Sequence, residues 1–466
     1  MRKLLLGLLL LAVVTVGAGV PVLRPGQALR VATGTVGHTL CSEVFVAGLD
    51  PGQAFREIFG SMPGIRHIPL LRYHVDRAKK DVTATVAGNF ASRAAYQDGF
   101  GCALVYGGVT NPVPVAGAAD GAHPAQGTDI AGPSVVEPAN EKLRDALDRA
   151  FAEPPGGPPR GTKAVVVLHD GRVVAERYAP GYGIDTPLLG WSMTKSVVNA
   201  LVGILVRQGR LSVAGPAPVP AWRDPSDPRH AITVEQLMRM TSGLALDETN
   251  SGFDPSSRML FTEPDMAGFA ESALLVAPPG TRYHYSSPST LILSRMVRDA
   301  AGGGAEDVRR FAERELFDPL GMRGVTLELD AAGTPVGSSY MYATARDWAR
   351  FGLLYANDGM VNGRRILPEG WIRYSASPTP GSRDGYAAGF FTNRGESDFG
   401  RQRVRGGMPA DSFFASGTQG QRIVIAPADR LVVVRLGRSQ DWETFDIRAL
   451  IRLVAEVSGT LNRPPA

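Results

Sequence analysis

The segment of residues 191–206 constrains this chain most, because it couples a serine–lysine pair to a helix that must be buried. Ser192 and Lys195 stand three residues apart in the motif W-S-M-T-K, and apolar residues dominate from there to Val206. Residues three apart in a helix share one face, so the lysine amine lies beside the serine hydroxyl. A lysine whose pKa is lowered by desolvation can take that proton. The N-terminus of the helix adds backbone N–H donors for a developing oxyanion.

The Ser-x-x-Lys spacing alone is weak evidence for a nucleophile, because four-residue patterns recur by chance. In the structural alternative, Ser192 is a helix N-cap and Lys195 lays its apolar stem along a core helix. Further motifs along the chain are needed to decide between a catalytic pair and this alternative.

The N-terminus has the pattern of a targeting segment. Arg2 and Lys3 precede an almost wholly apolar run from Leu4 to Val20, which is typical of a secretory signal. The run nearly reaches the length that spans a bilayer, so residues 1–23 are predicted to be a signal peptide or an uncleaved membrane anchor. Both alternatives export the rest of the chain, to the periplasm or the extracellular space.

Length and charge limit the class of protein. A chain of 466 residues exceeds one ordinary domain, so two domains are expected. Hydrophobic residues make up 44% and charged residues 20% of the chain, as in ordinary globular proteins. The formal net charge of +4 is spread along the chain without a dense basic run. Nucleic acid is therefore not expected as a partner.

The two cysteines, Cys41 and Cys102, indicate one staple. In an oxidising compartment such a pair favours a disulfide, and the alternative is two buried free thiols. The seven histidines are scattered and form no Cys/His cluster with metal-ligand spacing. We therefore expect no metal site and no cofactor.

Composition divides the chain after the targeting segment. Residues 36–110 contain both cysteines and have alternating apolar positions. This pattern predicts a small β-rich N-terminal domain, all-β or α+β. Residues 111–137 are rich in Pro, Gly and Ala and are predicted to be a linker. Residues 138–460 are then the second domain.

Strand patterns lie at both ends of the second domain. Apolar runs around turn signals predict hairpins at 164–178 and 422–436, and helical spacing predicts helices at 141–151 and 444–457. The middle is mostly helical. This order predicts an α+β fold, an α/β sandwich in which helices cover one antiparallel sheet that carries a helical insertion.

Three further motifs follow the serine–lysine pair in order. They are I-T-V-E-Q-L-M-R-M-T-S-G-L at 232–244, P-P-G-T-R-Y-H-Y-S-S at 278–287 and F-F-A-S-G-T-Q-G-Q at 413–421. Together with S-M-T-K they resemble the serine β-lactamase-like superfamily over 138–460. The resemblance is closest to class C β-lactamase relatives, especially esterases and 6-aminohexanoate-dimer hydrolase-like amidases. It implies the β-lactamase/transpeptidase-like fold behind the small N-terminal domain.

The resemblance assigns catalytic roles by position. Ser192 is the acylated nucleophile and Lys195 takes its proton. Tyr285 matches the tyrosine that assists proton transfer, although Tyr283 is an alternative for the inward-facing ring. The oxyanion hole is the backbone N–H of Ser192 and that of Thr418.

The resemblance also marks substrate-binding positions and two departures. Ser287 replaces the asparagine of the family's Y-x-N motif, and its shorter side chain cannot make the same bridge. The third motif, which usually begins with a basic residue, begins with Ala415, and Arg422 or Arg405 is a candidate to replace the lost charge. The predicted substrate-binding residues are these four: Trp191, Ser287, Ser416 and Gly417.

We therefore expect an exported serine hydrolase that cleaves a small-molecule ester or amide through an acyl-enzyme on Ser192. One alternative is D-alanyl peptidase or β-lactamase activity on peptidoglycan-like substrates, against which the missing basic residue argues. The other is a non-catalytic binding protein on a degenerate hydrolase fold. Attachment to a membrane through the N-terminal segment stays open.

Overall fold

The structure, a computed structural model, describes residues 25–60, 62–107, 129–156, 159–249, 251–395, 397–439 and 447–461. The targeting segment predicted at 1–23 and most of the linker predicted at 111–137 lie outside the described residues. Within the described part of the chain, no helix is both long enough and apolar enough to cross a membrane.

The first part of the chain, residues 25–107 without residue 61, is called here the N-terminal unit. Its elements in chain order are helices α1 (Pro25–Phe45), α2 (Pro51–Phe59) and α3 (Pro63–Arg66), then strands β1 (Leu71–Asp76), β2 (Asp81–Val86), β3 (Asn89–Gln97) and β4 (Gly101–Leu104). The strands form an antiparallel sheet in sequence order. Helix α1 packs against this sheet.

The N-terminal unit is therefore α+β rather than all-β. Residues 36–45, placed by the sequence in a β-rich domain, are helical, and the helix begins earlier, at Pro25. The predicted disulfide is present: Cys41 of α1 is bonded to Cys102 of β4, with their Cα atoms 6.0 Å apart. The staple thus joins the helix to the last strand of the sheet. The predicted domain boundaries themselves stay predictions.

The main sheet lies in the second part of the chain and has six antiparallel strands. In spatial order the strands are β12 (Phe391–Thr392), β13 (Phe413–Gly417), β14 (Gln421–Ala426), β15 (Leu431–Gly437), β5 (Thr162–His169) and β6 (Arg172–Tyr178). Both hairpins predicted from the sequence are confirmed. The first and last hairpins of the domain meet side by side, since β15 pairs with β5.

Helices cover both faces of the main sheet. Alternation along β5 sends Val165 and Val167 to the face covered by α4 (Glu141–Phe151) and α15 (Ile447–Leu461), while Val166 faces the larger core. Both terminal helices were predicted from their apolar spacing. The larger core also contains residues of the N-terminal unit, so the two parts of the chain share one apolar interior.

The helical layer between the hairpins holds the remaining elements. The helices are α5 (Thr194–Arg207), α6 (Val234–Met238), α7 (Pro255–Thr262), α8 (Met266–Glu271), α9 (Ser287–Ala301), α10 (Ala305–Ala312), α11 (Asp318–Leu320), α12 (Ala345–Ala356), α13 (Trp371–Ser375) and α14 (Asp398–Arg405). A π-helical turn, Glu313–Phe317, joins α10 to α11, and 3₁₀ turns lie at Trp191–Met193, Pro220–Trp222, Pro228–Ala231 and Thr418–Gly420. Two small sheets consist of β7 (Leu188–Leu189), β8 (Thr326–Leu327) and β9 (Met341–Ala343), and of β10 (Met360–Val361) and β11 (Arg364–Arg365).

Local sequence explains where the helices near the site begin. Thr233 and Gln236 form a reciprocal capping box at α6. The Ser286 hydroxyl accepts from Ser289 N at the start of α9. Helix α5 is different, since every residue from 194 to 205 is buried. A helix that is buried on all sides belongs in a core, and its polar residues, Lys195 among them, are therefore desolvated.

Candidate active site

The serine lies on a tight turn at the start of the buried helix. Trp191 has a left-handed φ of 47° and leads into the 3₁₀ turn that contains Ser192. Gly190 precedes it because a Cβ there would lie 2.4 Å from the Trp348 ring. The Thr194 hydroxyl donates to Trp191 O at 2.7 Å. The turn is thereby fixed, and Ser192, half-buried, stays open to a substrate.

Lys195 is the central residue of the site. Its Nζ donates to Ser192 Oγ at 2.9 Å, to Ser287 Oγ at 2.9 Å and to the backbone oxygen of Ser338 at 3.0 Å. Burial lowers the pKa of Lys195 to about 8, and the nearby negative charge of Glu248 opposes that shift. An amine with this pKa is neutral in part of the molecules near neutral pH, as a general base for Ser192 must be.

The structure brings Tyr285, and not Tyr283, to Ser192 and Lys195. The Tyr285 hydroxyl lies close enough to Ser192 for that side chain to lower its pKa against the effect of burial, and its ring centroid lies 4.9 Å from Lys195 Nζ. The Tyr283 hydroxyl instead donates to Asp384 Oδ2 at 3.0 Å. Desolvation, and then the charge of Glu248, raise the pKa of Tyr285 well above its usual value. Its hydroxyl is therefore protonated at neutral pH and is placed to pass a proton.

Ser287, at the position of the missing asparagine, contacts Lys195. It is the first residue of α9, and its hydroxyl oxygen accepts from Lys195. Its backbone N–H donates to Glu248 Oε2. Two groups at the site, the Glu248 carboxylate and Ser338 O, were not found from the sequence. Neither belongs to a motif, because loops distant in the sequence bring them to Lys195.

The C-terminal end of strand β13 lies beside the turn that carries Ser192. A Cβ on Gly417 would lie 2.1 Å from Gly190 O, so only glycine permits this approach. Thr418 follows directly and is exposed. Ser416 pairs with Arg422 across the strands and is half-buried. It lies on the strand face shared with Phe414, opposite the face of Ala415.

Trp191 packs as part of the core beside the serine. Its side chain is buried, and its ring meets Tyr340 edge to face at a centroid distance of 6.4 Å. Tyr340 in turn stacks on His38 of α1 at 4.1 Å. A row of three rings thus connects the turn that carries Ser192 to the N-terminal unit.

The two arginines proposed as substitutes for the missing basic residue lie in different environments. Arg405 is exposed on α14. Arg422 lies close enough to Tyr285 for the tyrosine's charge to influence its pKa, which desolvation lowers to about 9. Its Nη1 donates to Gly417 O at 3.0 Å and to Gln421 O at 2.7 Å. Arg403, not considered from the sequence, stacks over the Phe414 ring at 4.8 Å.

Among the described residues, no group of three or more His, Cys, Asp or Glu side chains is arranged to hold a metal ion. The side chains that the site brings together are Ser192, Lys195 and Tyr285, with Ser287 in contact with Lys195.

Comparison with known proteins agrees with this constellation. A family model described as Beta-lactamase matches residues 147–456, more than half of the chain. The chain belongs to the beta-lactamase family. The superfamily and the β-lactamase/transpeptidase-like fold predicted from the motifs are therefore confirmed.

Relatives of this beta-lactamase family member are named as hydrolases. A 6-aminohexanoate-dimer hydrolase of Paenarthrobacter ureafaciens is 26% identical over 301 residues, which are 61% of this chain and 74% of the relative. The protein is thus an enzyme, a serine hydrolase related to β-lactamases.

Two solved structures show the same fold. A penicillin-binding protein homolog from Caulobacter crescentus has a TM-score of 0.54 and 22% identity, covering 72% of this chain and 100% of that one. A family VIII carboxylesterase has a TM-score of 0.52 and 17% identity, covering 70% of this chain and 99% of that one.

Proposed function

We propose that this protein is an exported serine hydrolase that cleaves a small ester or amide through an acyl-enzyme on Ser192. The observation that carries the proposal is the contact of 2.9 Å between Lys195 Nζ and Ser192 Oγ, in a setting where burial lowers the pKa of Lys195 to about 8. A desolvated lysine beside a half-buried serine is the arrangement that activates a hydroxyl nucleophile.

The reaction proceeds in two halves. Neutral Lys195 takes the proton of Ser192, whose Oγ attacks the carbonyl carbon, and the backbone N–H groups of Ser192 and Thr418 stabilise the oxyanion. The C–O or C–N bond then breaks, and Tyr285 passes the proton to the departing alcohol or amine. Water then attacks the acyl carbon while Lys195 accepts one of its protons; the bond from the acyl carbon to Ser192 Oγ breaks, that proton passes from Lys195 to Ser192 Oγ, and the carboxylic acid leaves.

The charges at the third motif support a neutral substrate. Ala415 supplies no cation, and Arg405 is exposed on α14. The Arg422 guanidinium donates to backbone oxygens of its own chain. A substrate without a carboxylate next to the scissile bond suits this site better than a penicillin or a D-alanyl peptide. The 6-aminohexanoate-dimer hydrolase and the carboxylesterase, by their names, act on an amide and on an ester.

Export is proposed on two observations. The segment from Arg2 to Val20 has the pattern of a secretory signal, and Cys41 is bonded to Cys102. Structural disulfides persist mainly in oxidising compartments. The periplasm and the extracellular space both satisfy this condition, with or without a membrane anchor at residues 1–23.

Intact mass after incubation with a fluorophosphonate tests the nucleophile. The wild-type protein is expected to gain one adduct, and Ser192→Ala is expected to gain none. Ser196→Ala is the matched control, because Ser196 lies four residues after Ser192, on helix α5, and its hydroxyl donates to Gly389 O. An unmodified, folded wild-type protein, or an adduct that persists in Ser192→Ala, would contradict the proposal.

Substrate class is tested by turnover. Neutral p-nitrophenyl esters and short linear amides are expected to be hydrolysed with multiple turnovers, and a chromogenic cephalosporin much more slowly. Faster turnover of the cephalosporin would favour a β-lactamase instead.

A further inference from the structure

The loop of residues 417–420, at the end of β13, has its backbone oxygens held by the strands behind it. Gly417 O accepts from Arg422 Nη1 at 3.0 Å, and Thr418 O accepts from Gln421 Nε2 at 3.1 Å. Gln419 O and Gly420 O both accept from Arg435 Nη1, at 3.2 and 3.0 Å. The loop therefore presents its carbonyl groups to the interior of the protein.

The same loop turns through two successive residues with positive φ. Gln419 has a left-handed φ of 60° and Gly420 a φ of 86°. The strained conformation of Gln419 is maintained from outside the loop, because its Nε2 donates to Ile58 O in the N-terminal unit and Ser439 N donates to its oxygen.

The Gly417–Thr418 peptide connects this arrangement to the reaction. All peptide bonds in the described part of the chain are trans, so the C=O of Gly417 and the N–H of Thr418 point in opposite directions. The oxygen points to Arg422, and the N–H therefore points away from it. Since Gly417 packs directly against Gly190 O, this peptide lies beside the turn that carries Ser192.

We propose that Arg422 is a positioning residue for catalysis: by donating to Gly417 O, it orients and polarises the peptide whose Thr418 N–H stabilises the oxyanion. The inference rests on the proposed acyl-enzyme function. Arg422 touches neither substrate nor nucleophile in this role, and acts through a single peptide group.

A cation suits this role better than a neutral donor. Hydrogen bonds from a guanidinium are charge-assisted and roughly twice as strong as those between neutral groups. Polarising a carbonyl makes the N–H on the other side of the same peptide a better donor, because hydrogen bonds in a chain reinforce each other. The guanidinium also bridges Gly417 O and Gln421 O, which fixes the strand end on both sides of the loop.

The competing role for Arg422 is to bind a substrate carboxylate. The two roles differ in what they change. A carboxylate-binding arginine contributes to ground-state binding, so its loss raises KM for anionic substrates. A residue that positions an oxyanion donor contributes only in the transition state, so its loss lowers kcat even for a neutral ester.

Kinetics with a neutral p-nitrophenyl ester separate the two roles. Removing a whole oxyanion donor typically costs about 10²–10³ in kcat, so misplacing one is expected to lower kcat of Arg422→Met by roughly ten- to a hundredfold. KM should stay within about twofold. The inhibition constant of an arylboronic acid, whose serine adduct is tetrahedral, should rise by the same factor as kcat/KM falls. Arg422→Lys, which keeps a cationic donor, should recover part of the loss.

Arg403→Met is the matched control, because Arg403 also stacks on Phe414 but donates to Asn393, Asp384 and Thr392 rather than to the loop. It should leave kcat and boronic acid inhibition near wild type. An equal kcat loss in this control, a loss of Arg422→Met confined to KM, or an unchanged boronic acid constant would each overturn the inference.

Folding and function are kept apart by two further measurements. If Arg422→Met shows no cooperative thermal melt, the shorter and neutral Arg422→Gln replaces it, and a wild-type kcat in that folded variant overturns the inference. Wild-type protein that gains no fluorophosphonate adduct shows that the proposed function has failed. Wild-type labelling combined with unaltered kinetics in the Arg422 variants shows that only the positioning role has failed.

Discussion

Ser287 Oγ lies 2.9 Å from Lys195 Nζ and accepts one of its hydrogens. The serine stands where related sequences carry an asparagine, and its own N–H donates to Glu248. The amide of an asparagine reaches both the lysine and a substrate. A serine on the first turn of α9 reaches only the lysine, so here the link between lysine and carboxylate passes through the backbone of Ser287.

Removing the Ser287 hydroxyl should change how Lys195 titrates. Ser287→Ala deletes an acceptor that stabilises the charged amine. The pKa of Lys195, which burial lowers to about 8, should therefore fall further. The acidic limb of the kcat/KM profile then moves to lower pH, while the plateau falls by roughly tenfold because the amine is less well oriented. Rates measured from pH 5 to 10 with a neutral ester give both quantities.

Ser294→Ala serves as the control for this measurement. Ser294 is buried on the same helix, and among the described contacts its hydroxyl has no hydrogen-bond partner. The variant should reproduce the wild-type profile. A Ser287→Ala limb that stays in place or moves to higher pH would show that the hydroxyl does not stabilise the charged lysine.

Glu248 should also influence the pH at which activity appears, through its effect on the pKa of Lys195. Its negative charge raises the pKa of Lys195 against the larger effect of burial. The base form of Lys195 is the neutral one, so kcat/KM should rise with pH up to about 8 in the wild type. In Glu248→Gln the pKa of Lys195 falls, and the rising limb moves to lower pH.

The neighbouring carboxylate provides the comparison for Glu248. Asp247 is exposed and pairs with His284 at 3.0 Å, so Asp247→Asn should leave the limb unchanged. A common shift in both variants would mean that general surface charge, rather than contact at the site, sets the titration of Lys195.

Local spacing made the contact between Ser192 and Lys195 predictable. Ser192 and Lys195 are about one helical turn apart, and the apolar residues that mark the helix as buried follow directly in the sequence. The choice between Tyr283 and Tyr285 could not be made in the same way. Both lie in irregular backbone, and what separates them is the hydrogen bond from Tyr283 to Asp384, about a hundred residues away in the sequence.

Helix α1 shows a second limit of sequence patterns. An exposed helix shows one apolar stripe, but α1 is covered on several sides, by the sheet of the N-terminal unit and by α7. At Gly34 a Cβ would lie 2.6 Å from Phe261 O. Small residues needed for such close packing weaken the helical pattern, so the region was predicted to be β-rich.

A buried carboxyl group should make stability depend on pH. Burial raises the pKa of Glu328 from 4.5 to about 8 in the folded state. Folding therefore takes up a proton between these two values, and stability falls as pH rises through that window. Glu328→Gln removes this dependence and keeps an acceptor for Ser42 and Cys102 N. Its melting temperature should exceed that of the wild type by roughly several degrees at pH 9 and match it at pH 5. Equal melting temperatures at pH 9 would contradict a protonated Glu328.

The N-terminal unit is tied to the main sheet by a buried ion pair. Glu43 Oε2 and Arg438 Nη2 lie 2.6 Å apart, with side chains 0% and 3% exposed. Glu43→Leu leaves the arginine unpaired and should cost about 3–5 kcal/mol of unfolding free energy. Adding Arg438→Met should restore much of this loss, since an apolar pair carries no uncompensated charge. Urea unfolding of the wild type, of Glu43→Leu, of Arg438→Met and of the double variant measures the coupling. Strictly additive losses would show that the pair does not act as a unit.

The disulfide should contribute a comparable amount to the free energy of unfolding, because it restricts the conformations of the unfolded chain. Cys41 and Cys102 are 61 residues apart, and closing a loop of that length stabilises the folded state by about 4 kcal/mol in the chain-entropy description. Wild-type protein whose bond has been reduced, as verified by mass, should unfold at the same urea concentration as Cys41→Ala/Cys102→Ala. The double variant itself should not respond to reductant. Because both cysteines lie in the N-terminal unit, whose Gln419–Ile58 contact supports the loop after β13, partial loss of ester hydrolysis should accompany reduction before global unfolding. Full activity up to the global transition would show that the loop keeps its conformation without the staple.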